Sequence, residues 1–368
     1  KLYFEGGVDI DTLDRAEAIA RTNELLNRPN VIIYEAAFQT GQLFVRADIL
    51  VKNGNDIELI EVKAKSFDPR DEERFYPKSS IKKGVPAISS EWEEYLIDVA
   101  FQKFVITSAF PQFSVTPFLM LADKSAKASV EGLNQKFMLE KKDGGRIGAR
   151  PANGLTRKDL GDAILAKVDV TEEVQLLHDS QYEKLGQSFS FKELVQFLER
   201  TCSKREFVNP DVGSHCKGCE FRIDQKMKEN GLASGFEECW KKAEQLTDKD
   251  FQRDFVFEIW NFRKAGKLIE AGKLFVDQLE ESDVSPSSSK TDGLSGSERQ
   301  WLQVESVKAQ SDEPYLDTRG LAKELSTWKY PLHFIDFETT MAAIPFHAGR
   351  RPYEQIAFQF SHHVIHTV

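Results

Sequence analysis

Residues 46–66, RADILVKNGNDIELIEVKAKS, restrict the fold more than any other part of the chain. Two apolar runs flank an Asn-Gly pair, which is a strong signal of a tight β-hairpin turn. Ionisable side chains interrupt both runs, with Asp48 in the first and Glu61 and Lys63 in the second. We therefore predict two paired strands that carry charged groups where a sheet normally carries its core.

The loop position decides how these groups face each other. A two-residue loop at Gly54-Asn55 pairs Asp48 with Glu61, whereas a loop at Asn53-Gly54 leaves Glu61 diagonal to Asp48. Either register brings Asp48, Glu61 and Lys63 to one face, because side chains alternate along a strand. The opposite face is predicted to be apolar and internal, and it would contain Val45, Ala47, Ile49, Val51, Ile60, Val62 and Ala64.

Two facing carboxylates repel each other, so the pKa of each would rise. A divalent cation between Asp48 and Glu61 removes that cost, and oxygen ligands with open positions suit Mg²⁺ or Mn²⁺. Such an ion activates water and polarises phosphate, while Lys63 would position that water or neutralise developing charge. The alternative is a solvated hairpin face with a cross-strand pair between the lysine and a carboxylate. Gln102 on the next helix is interpreted either as reaching this site or as a satisfied buried amide.

The order of elements predicts an α/β (α+β) fold, with a mixed sheet flanked by helices. We predict a mobile loop over residues 66–90, a helical region over 190–275 and a linker or exposed loop over the Ser- and Gly-rich residues 281–300. Further predicted elements are a helix at 12–27, a strand at 30–40, an apolar helix at 91–110 and a strand at 113–123.

The net charge of −10 means that any contact with nucleic acid requires local basic patches. No apolar run is long enough to span a bilayer and no secretion signal is visible, so we expect a cytoplasmic protein without membrane association. The chain begins at Lys1 without methionine and ends in a strand-like run, and we expect a fragment of a longer protein.

The chain has four cysteines, Cys202, Cys216, Cys219 and Cys239. Without a secretion signal, their clustering indicates a metal rather than disulfides. Thiolates at the spacing of Cys216 and Cys219, with Cys239 beyond, suit Zn²⁺ or an iron–sulfur cluster. Cys202, or His215 in a zinc site, would be the fourth ligand. The alternative is a set of independent buried thiols.

The segment HFIDFETT places Asp336 and Glu338 two positions apart on a strand with apolar neighbours. This is a pattern of two-metal sites when the strand is buried, or else an acid pair at a strand end. Arg350 and Arg351 beyond it are either phosphate contacts or a basic loop.

Asp48, the EVK at 61–63 and Gln102 together resemble the RecB-type branch of the PD-(D/E)xK nucleases, although Ile106 stands where that branch usually has an aromatic residue. The resemblance implies a restriction-endonuclease-like core in which Asp48 and Glu61 bind Mg²⁺ or Mn²⁺, Lys63 assists catalysis and Gln102 helps to place the strand. It also implies a histidine or glutamate on an earlier helix, which would lie upstream of Lys1.

Cys216, Cys219 and Cys239 are similar to three cluster ligands of CRISPR-associated RecB-like exonucleases. This implies a [4Fe–4S] cluster whose fourth cysteine precedes Lys1, with Cys202 as a substitute and Zn²⁺ as the alternative. The segment with Asp336 and Glu338 is similar to the first motif of DnaQ-type, RNase H-like exonucleases.

The whole chain resembles bacterial proteins that join these modules. The implied organisation is a nuclease core at 1–185, a helical cysteine-bearing region at 186–280, a linker at 281–300 and the start of a DnaQ-like domain at 301–368. The expected activity is metal-dependent hydrolysis of single- or double-stranded DNA. The alternatives are a non-catalytic nucleic-acid-binding module and a zinc-stabilised interaction protein.

Overall fold

The computed structural model describes residues 1–71, 75–83, 87–141, 147–206, 208, 211–289 and 293–367. The chain forms two compact units. The first contains Lys1–Tyr182, Ser188–Arg205 and Phe334–His363, and the second contains Glu183–Gln187, Glu206–His333 and Val364–Val368.

The strands are β1 (Val8–Asp9), β2 (Asn30–Thr40), β3 (Leu43–Asn53), β4 (Asp56–Phe67), β5 (Ser114–Asp123), β6 (Phe137–Lys141), β7 (Ile147–Pro151), β8 (Leu165–Asp169), β9 (Gln181–Lys184), β10 (Gln187–Ser190), β11 (Leu332–Thr340) and β12 (Ile356–Ile365). The α-helices are α1 (Arg15–Leu26), α2 (Lys78–Lys83), α3 (Ser90–Ala109), α4 (Thr171–Asp179), α5 (Phe191–Lys204), α6 (Gln225–Glu229), α7 (Gly235–Glu244), α8 (Ala265–Glu270), α9 (Glu281–Val284), α10 (Gly296–Lys308) and α11 (Thr318–Thr327). Short 3₁₀ helices lie at Leu133–Lys136, Arg157–Leu160, Ser214–Gly218, Asp250–Gln252, Val256–Glu258 and Val276–Gln278.

The first unit is built on a six-stranded mixed sheet in the order β1-β2-β3-β4-β5-β8. Strands β1 and β2 run parallel, as do β4 and β5, while the other neighbours are antiparallel. Helix α3 provides the crossover that parallel neighbours require. The mixed α/β class predicted from the order of elements is therefore confirmed.

Helix α3 covers one face of the sheet and packs on β2, β3, β4 and β5. Glu91 and Glu93 in its first turn favour the start of a helix, because they complement the helix dipole. Its buried side chains join the main core of the unit and include Leu96, Val99, Ala100, Val105 and Ile106. The predicted apolar helix at 91–110 is confirmed, and α1 likewise lies within the predicted 12–27.

The alternation of faces breaks at the same level in β2 and β3. Ala47 and Leu50 both pack in the main core, whereas Ile49 belongs to a separate small cluster with Ile60. The prediction that the apolar residues of β3 share one face is thus wrong. The regular pairing of β2 with β3 omits Glu35 and Asp48, and Glu35 adopts a left-handed φ of 59° there.

The prediction of an internal face also fails in β4. Val62 is 43% exposed and Ala64 is exposed, so this end of the strand is not covered on both sides. The reason is that the pairing of β4 with β5 becomes irregular between Val62 and Ser66. The sheet is therefore open beside the charged part of β4.

The second unit packs around aromatic side chains from short helices and loops, and its core includes Phe236, Trp240, Phe255, Phe257 and Phe275. The helical prediction for 190–275 is confirmed only in part, since α5 to α8 alternate with irregular segments. The stretch 281–300, predicted as a linker or exposed loop, carries α9 at one end and the start of α10 at the other. Ser295 and Glu298 form a capping box that begins α10. Residues 290–292 lie outside the described part of the chain.

The predicted loop at 66–90 contains the short helix α2, and its residues 72–74 and 84–86 are outside the described residues. Helix α5 groups with the first unit because Phe191 and Val195 pack in its main core. Residues 334–363 also group with the first unit, whereas the sequence placed them in a separate domain. Within the described ranges, every helix is too short or too polar to cross a membrane.

Candidate active site

The β3–β4 hairpin uses the first of the two registers considered. Asn53 pairs with Asp56, so the loop is Gly54-Asn55, and Gly54 has the positive φ of 60° that suits the first position of a type II′ turn. This register aligns Asp48 with Glu61. The regular ladder, however, ends one step earlier, at Ile49 and Ile60.

The carboxylate of Asp48 accepts a hydrogen bond from β4 just beyond the last backbone pair of β3 and β4. Its Oδ2 accepts a hydrogen bond from the backbone N–H of Val62 at 2.7 Å. The N–H of Val62 lies beyond the last ladder pair of β3 and β4, and Asp48 supplies an acceptor for it. The side chain is thereby held at the opening between β3 and β4, next to the start of Glu-x-Lys.

Glu61 and Lys63 lie on the face of β4 that α3 covers. Lys63 Nζ lies 2.7 Å from Glu61 Oε1 and 2.6 Å from Asp98 Oδ2. Gln102 Nε2 donates to Glu61 Oε2 at 2.8 Å and to Asp98 Oδ1 at 3.3 Å. Strand and helix are thus joined by a closed network of four side chains, with Glu61 only 7% exposed.

Burial is the main cause that raises the pKa of Glu61 to about 7, and the nearby charge of Asp48 raises it further. Burial likewise raises the pKa of Asp48. For Lys63, burial works to lower the pKa, but hydrogen bonds to Asp98 and Glu61 outweigh it and raise the pKa above the usual value. The site therefore combines a firmly charged ammonium group with carboxylates whose ionisation is disfavoured.

Sequence reasoning missed two residues of this arrangement. Asp98 stands four positions before Gln102 on α3, and such spacing places both side chains on one helix face. Glu35 is aligned with Asp48 by the register of β2 and β3, and burial followed by the charge of Asp48 raises its pKa. An acid within the otherwise apolar run VIIYEAAF was the available signal for Glu35.

The donor set suits a hard divalent cation. Asp48 and Glu61 offer carboxylate oxygens, and a cation would favour their charged forms. Gln102 Oε1 is buried and has no hydrogen-bond partner among the described residues, so a further oxygen is unsatisfied at the site. Across the described ranges, no group of three or more His, Cys, Asp or Glu side chains forms a ready metal site.

Three of the cysteines belong to the second unit. Cys216 lies in the 3₁₀ helix Ser214–Gly218, and the N–H of Cys219 donates to the carbonyl of Cys216 at 3.1 Å. Burial raises the pKa of Cys239 on α7, and the neighbouring Cys219 and Cys216 raise it further. The charges of Cys216 and Cys219 are thus felt at Cys239, but among the described residues the three thiols are not grouped as a ready metal site. Cys202 is exposed on α5 of the first unit.

His215 is exposed beside Cys216, with Nε2 at 3.1 Å from the carbonyl oxygen of Asp211. That ring nitrogen is thus already engaged by the backbone. The place of a fourth ligand to the three thiols stays a prediction.

Asp336 and Glu338 lie on β11 as predicted, and β11 pairs with β12. Both acids are exposed, and so are the strand positions around them, which differs from the buried strand expected. Isolated two-stranded sheets cannot bury both faces, which explains the difference. Asp336 Oδ1 accepts from the N–H of Phe337 at 3.0 Å.

Comparison with family models finds one match, to a domain of unknown function, DUF2779, over residues 333–368. This match covers β11, β12 and the loop between them. Comparison with curated proteins and with solved structures gives no match.

Proposed function

We propose that the first unit is a metal-dependent nuclease that hydrolyses phosphodiester bonds of DNA, with a restriction-endonuclease-like core. The observation that supports it most is the environment of the Glu61 carboxylate, which contacts Lys63 and Gln102. The carboxylate of Asp48 lies beside it, where the pairing of β3 with β4 ends. Buried acids that face each other have raised pKa values, which is typical of functional sites.

In this proposal Asp48 and Glu61 hold Mg²⁺ or Mn²⁺. When bound, the ion supplies Lewis acidity, which lowers the pKa of water and offsets charge on the phosphate. Lys63 acts as a fixed positive charge rather than as a base, because its two carboxylate partners keep it protonated. It would stabilise the charge that develops on the phosphate oxygens. Gln102 and Asp98 position Glu61 and Lys63.

The test is cleavage of end-labelled single- and double-stranded DNA with Mg²⁺, Mn²⁺ or EDTA. Cleavage should require the divalent ion and fall by about a hundredfold in Lys63→Ala and in Glu61→Gln. Lys167→Ala is the matched control, because Lys167 forms an ion pair with Glu58 on β4 and takes no part in the site. Equal loss in the control would overturn the assignment.

A non-catalytic nucleic-acid-binding module is the second candidate. Among the described residues, no three His, Cys, Asp or Glu side chains are grouped as a ready metal site, which favours it. DNA binding that persists without any cleavage in either metal would select this candidate over the nuclease.

For the second unit we propose a bound [4Fe–4S] cluster, or Zn²⁺, held by Cys216, Cys219 and Cys239. Support comes from the electrostatic influence of Cys216 and Cys219 on Cys239 and from the packing of Cys216 and Cys219 against the unit core. The role would be structural, since metal ligation would join the 3₁₀ helix Ser214–Gly218 to α7.

A further inference from the structure

The loop between β11 and β12, residues 341–355, is seated on the first unit. Gly349 N–H donates to Ala128 O at 2.7 Å, and Ala128 N–H donates back to Arg350 O at 2.9 Å. Glu131 accepts from the N–H of Ala348 at 2.9 Å and lies 2.5 Å from His347 Nδ1. The loop is therefore held by backbone bonds and does not depend on flexible side chains alone.

This seating creates an open cleft of about 540 Å³ between the loop and the end of β5. Four cationic side chains line it, from Lys124, Lys127, Arg350 and Arg351, against the single carboxylate of Glu354. Glu354 Oε1 pairs with Arg350 Nη1 at 2.8 Å. The lining thus keeps a net charge of three positive units on a chain whose total is −10.

The cleft adjoins the candidate active site. Tyr353, also in the lining, donates from its hydroxyl to the carbonyl of Ala64 at 2.7 Å, and Ala64 directly follows Lys63. Lys124 follows the end of β5, which runs parallel to β4, so both strands end at the same edge of the sheet. A chain that occupies the cleft would pass beside Lys63.

We infer that this cleft binds the phosphodiester backbone of the nucleic acid whose scissile phosphate lies at Glu61 and Lys63, so the inference rests on the proposed function. Lys124, Lys127 and Arg351 contact phosphates next to the one that is cleaved. Exposed cations suit this role, because phosphate contacts position a nucleic acid without reading its sequence. Acidic proteins need such a local patch to overcome long-range repulsion.

The test measures binding in EDTA, which separates it from cleavage. A fluorescent 20-nucleotide oligo(dT) is titrated by anisotropy at several KCl concentrations. Lys127→Gln with Arg351→Gln should weaken binding by about tenfold and reduce the slope of log affinity against log salt by about 1.4. Lys127→Arg with Arg351→Lys should retain both, since charge is kept.

Lys141→Gln with Lys192→Gln is the matched control, because it removes two exposed cations of the same unit that lie outside the cleft. Unchanged affinity and slope in the cleft variant, or an equal loss in the control, would overturn the inference. Displacement of the oligonucleotide by inorganic phosphate at low millimolar concentration would show that the cleft binds a free anion. This result would also overturn the inference. An affinity that increases as the oligo(dT) is lengthened from 6 to 20 nucleotides would support binding of an extended phosphodiester backbone in the cleft.

The two proposals fail separately. Cleft-dependent binding without metal-dependent cleavage would reject the nuclease and retain the cleft. Metal-dependent cleavage with cleft variants that bind like the wild type would reject the cleft and retain the nuclease.

Discussion

Asp98 on α3 and Lys63 on β4 form an ion pair, with Oδ2 and Nζ 2.6 Å apart. The pair joins the crossover helix to the strand that carries Glu-x-Lys. Because Lys63 also contacts Glu61, the helix sets the position of the ammonium group relative to the buried acid. The proposed chemistry therefore depends on a residue that lies outside the Asp…Glu-x-Lys pattern.

Asp98→Asn should lower DNA cleavage by about tenfold, because Lys63 loses one of the two anions that orient it. Asp98→Glu should retain part of the activity, and Glu94→Gln, an exposed acid of the same helix, should have no effect. The free energy of unfolding should change by no more than about 1 kcal/mol, since the Asp98 side chain is 40% exposed. Wild-type cleavage by Asp98→Asn would remove it as a positioning residue.

The contribution of Glu61 to the stability of the metal-free protein should fall as the pH rises from about 4.5 to about 7. The folded pKa of Glu61 is about 7 and its ordinary value is 4.5, so in this window the unfolded chain loses the proton while the native state keeps it. The contribution is at most about 3 kcal/mol.

Urea denaturation in EDTA at several pH values measures this contribution. Glu61→Gln should be more stable than the wild type above pH ~7, and the difference should vanish below pH ~4.5, where both states of the wild type are protonated. A difference that stays constant across the window would show that the pKa of Glu61 is not raised.

Glu35→Gly should be about 1 kcal/mol more stable than Glu35→Ala. Both variants remove the carboxylate and its contact of 3.5 Å to Arg46 Nε, but only glycine adopts the left-handed φ of 59° without strain. Urea denaturation of the two variants checks this directly. Equal stability would mean that the backbone at Glu35 stores no strain.

Protein purified anaerobically should contain iron and show the broad visible absorption of an iron–sulfur cluster. Cys239→Ser should lose both, because it removes one of the three proposed cluster ligands. Retention of both in Cys202→Ser would place the fourth ligand elsewhere, whereas their loss would assign Cys202 as that ligand. A colourless protein loaded with zinc would select the Zn²⁺ alternative, and protein without metal would select independent thiols.

The sequence was sufficient for the local elements of the first unit. Period-two and apolar patterns located β2, β5 and α3, and the Asn-Gly signal located the hairpin that carries Asp48, Glu61 and Lys63. These features depend on neighbours in the chain, so they can be read without knowing what packs against them. The capping box of α10 is also a local feature, and Ser295 and Glu298 were visible in the sequence. It was missed because the Ser- and Gly-rich composition around it indicated a loop.

Tertiary structure alone decided the register at Asp48, the break of alternation beside Glu35, the ion pair of Asp98 and the seating of residues 341–355. Two turn positions satisfied the same hairpin sequence, and the choice depended on how β3 packs between β2 and β4. Contacts such as that of Tyr353 with Ala64 join residues far apart in the chain. Their energies depend on the burial and charge of groups that local patterns do not contain.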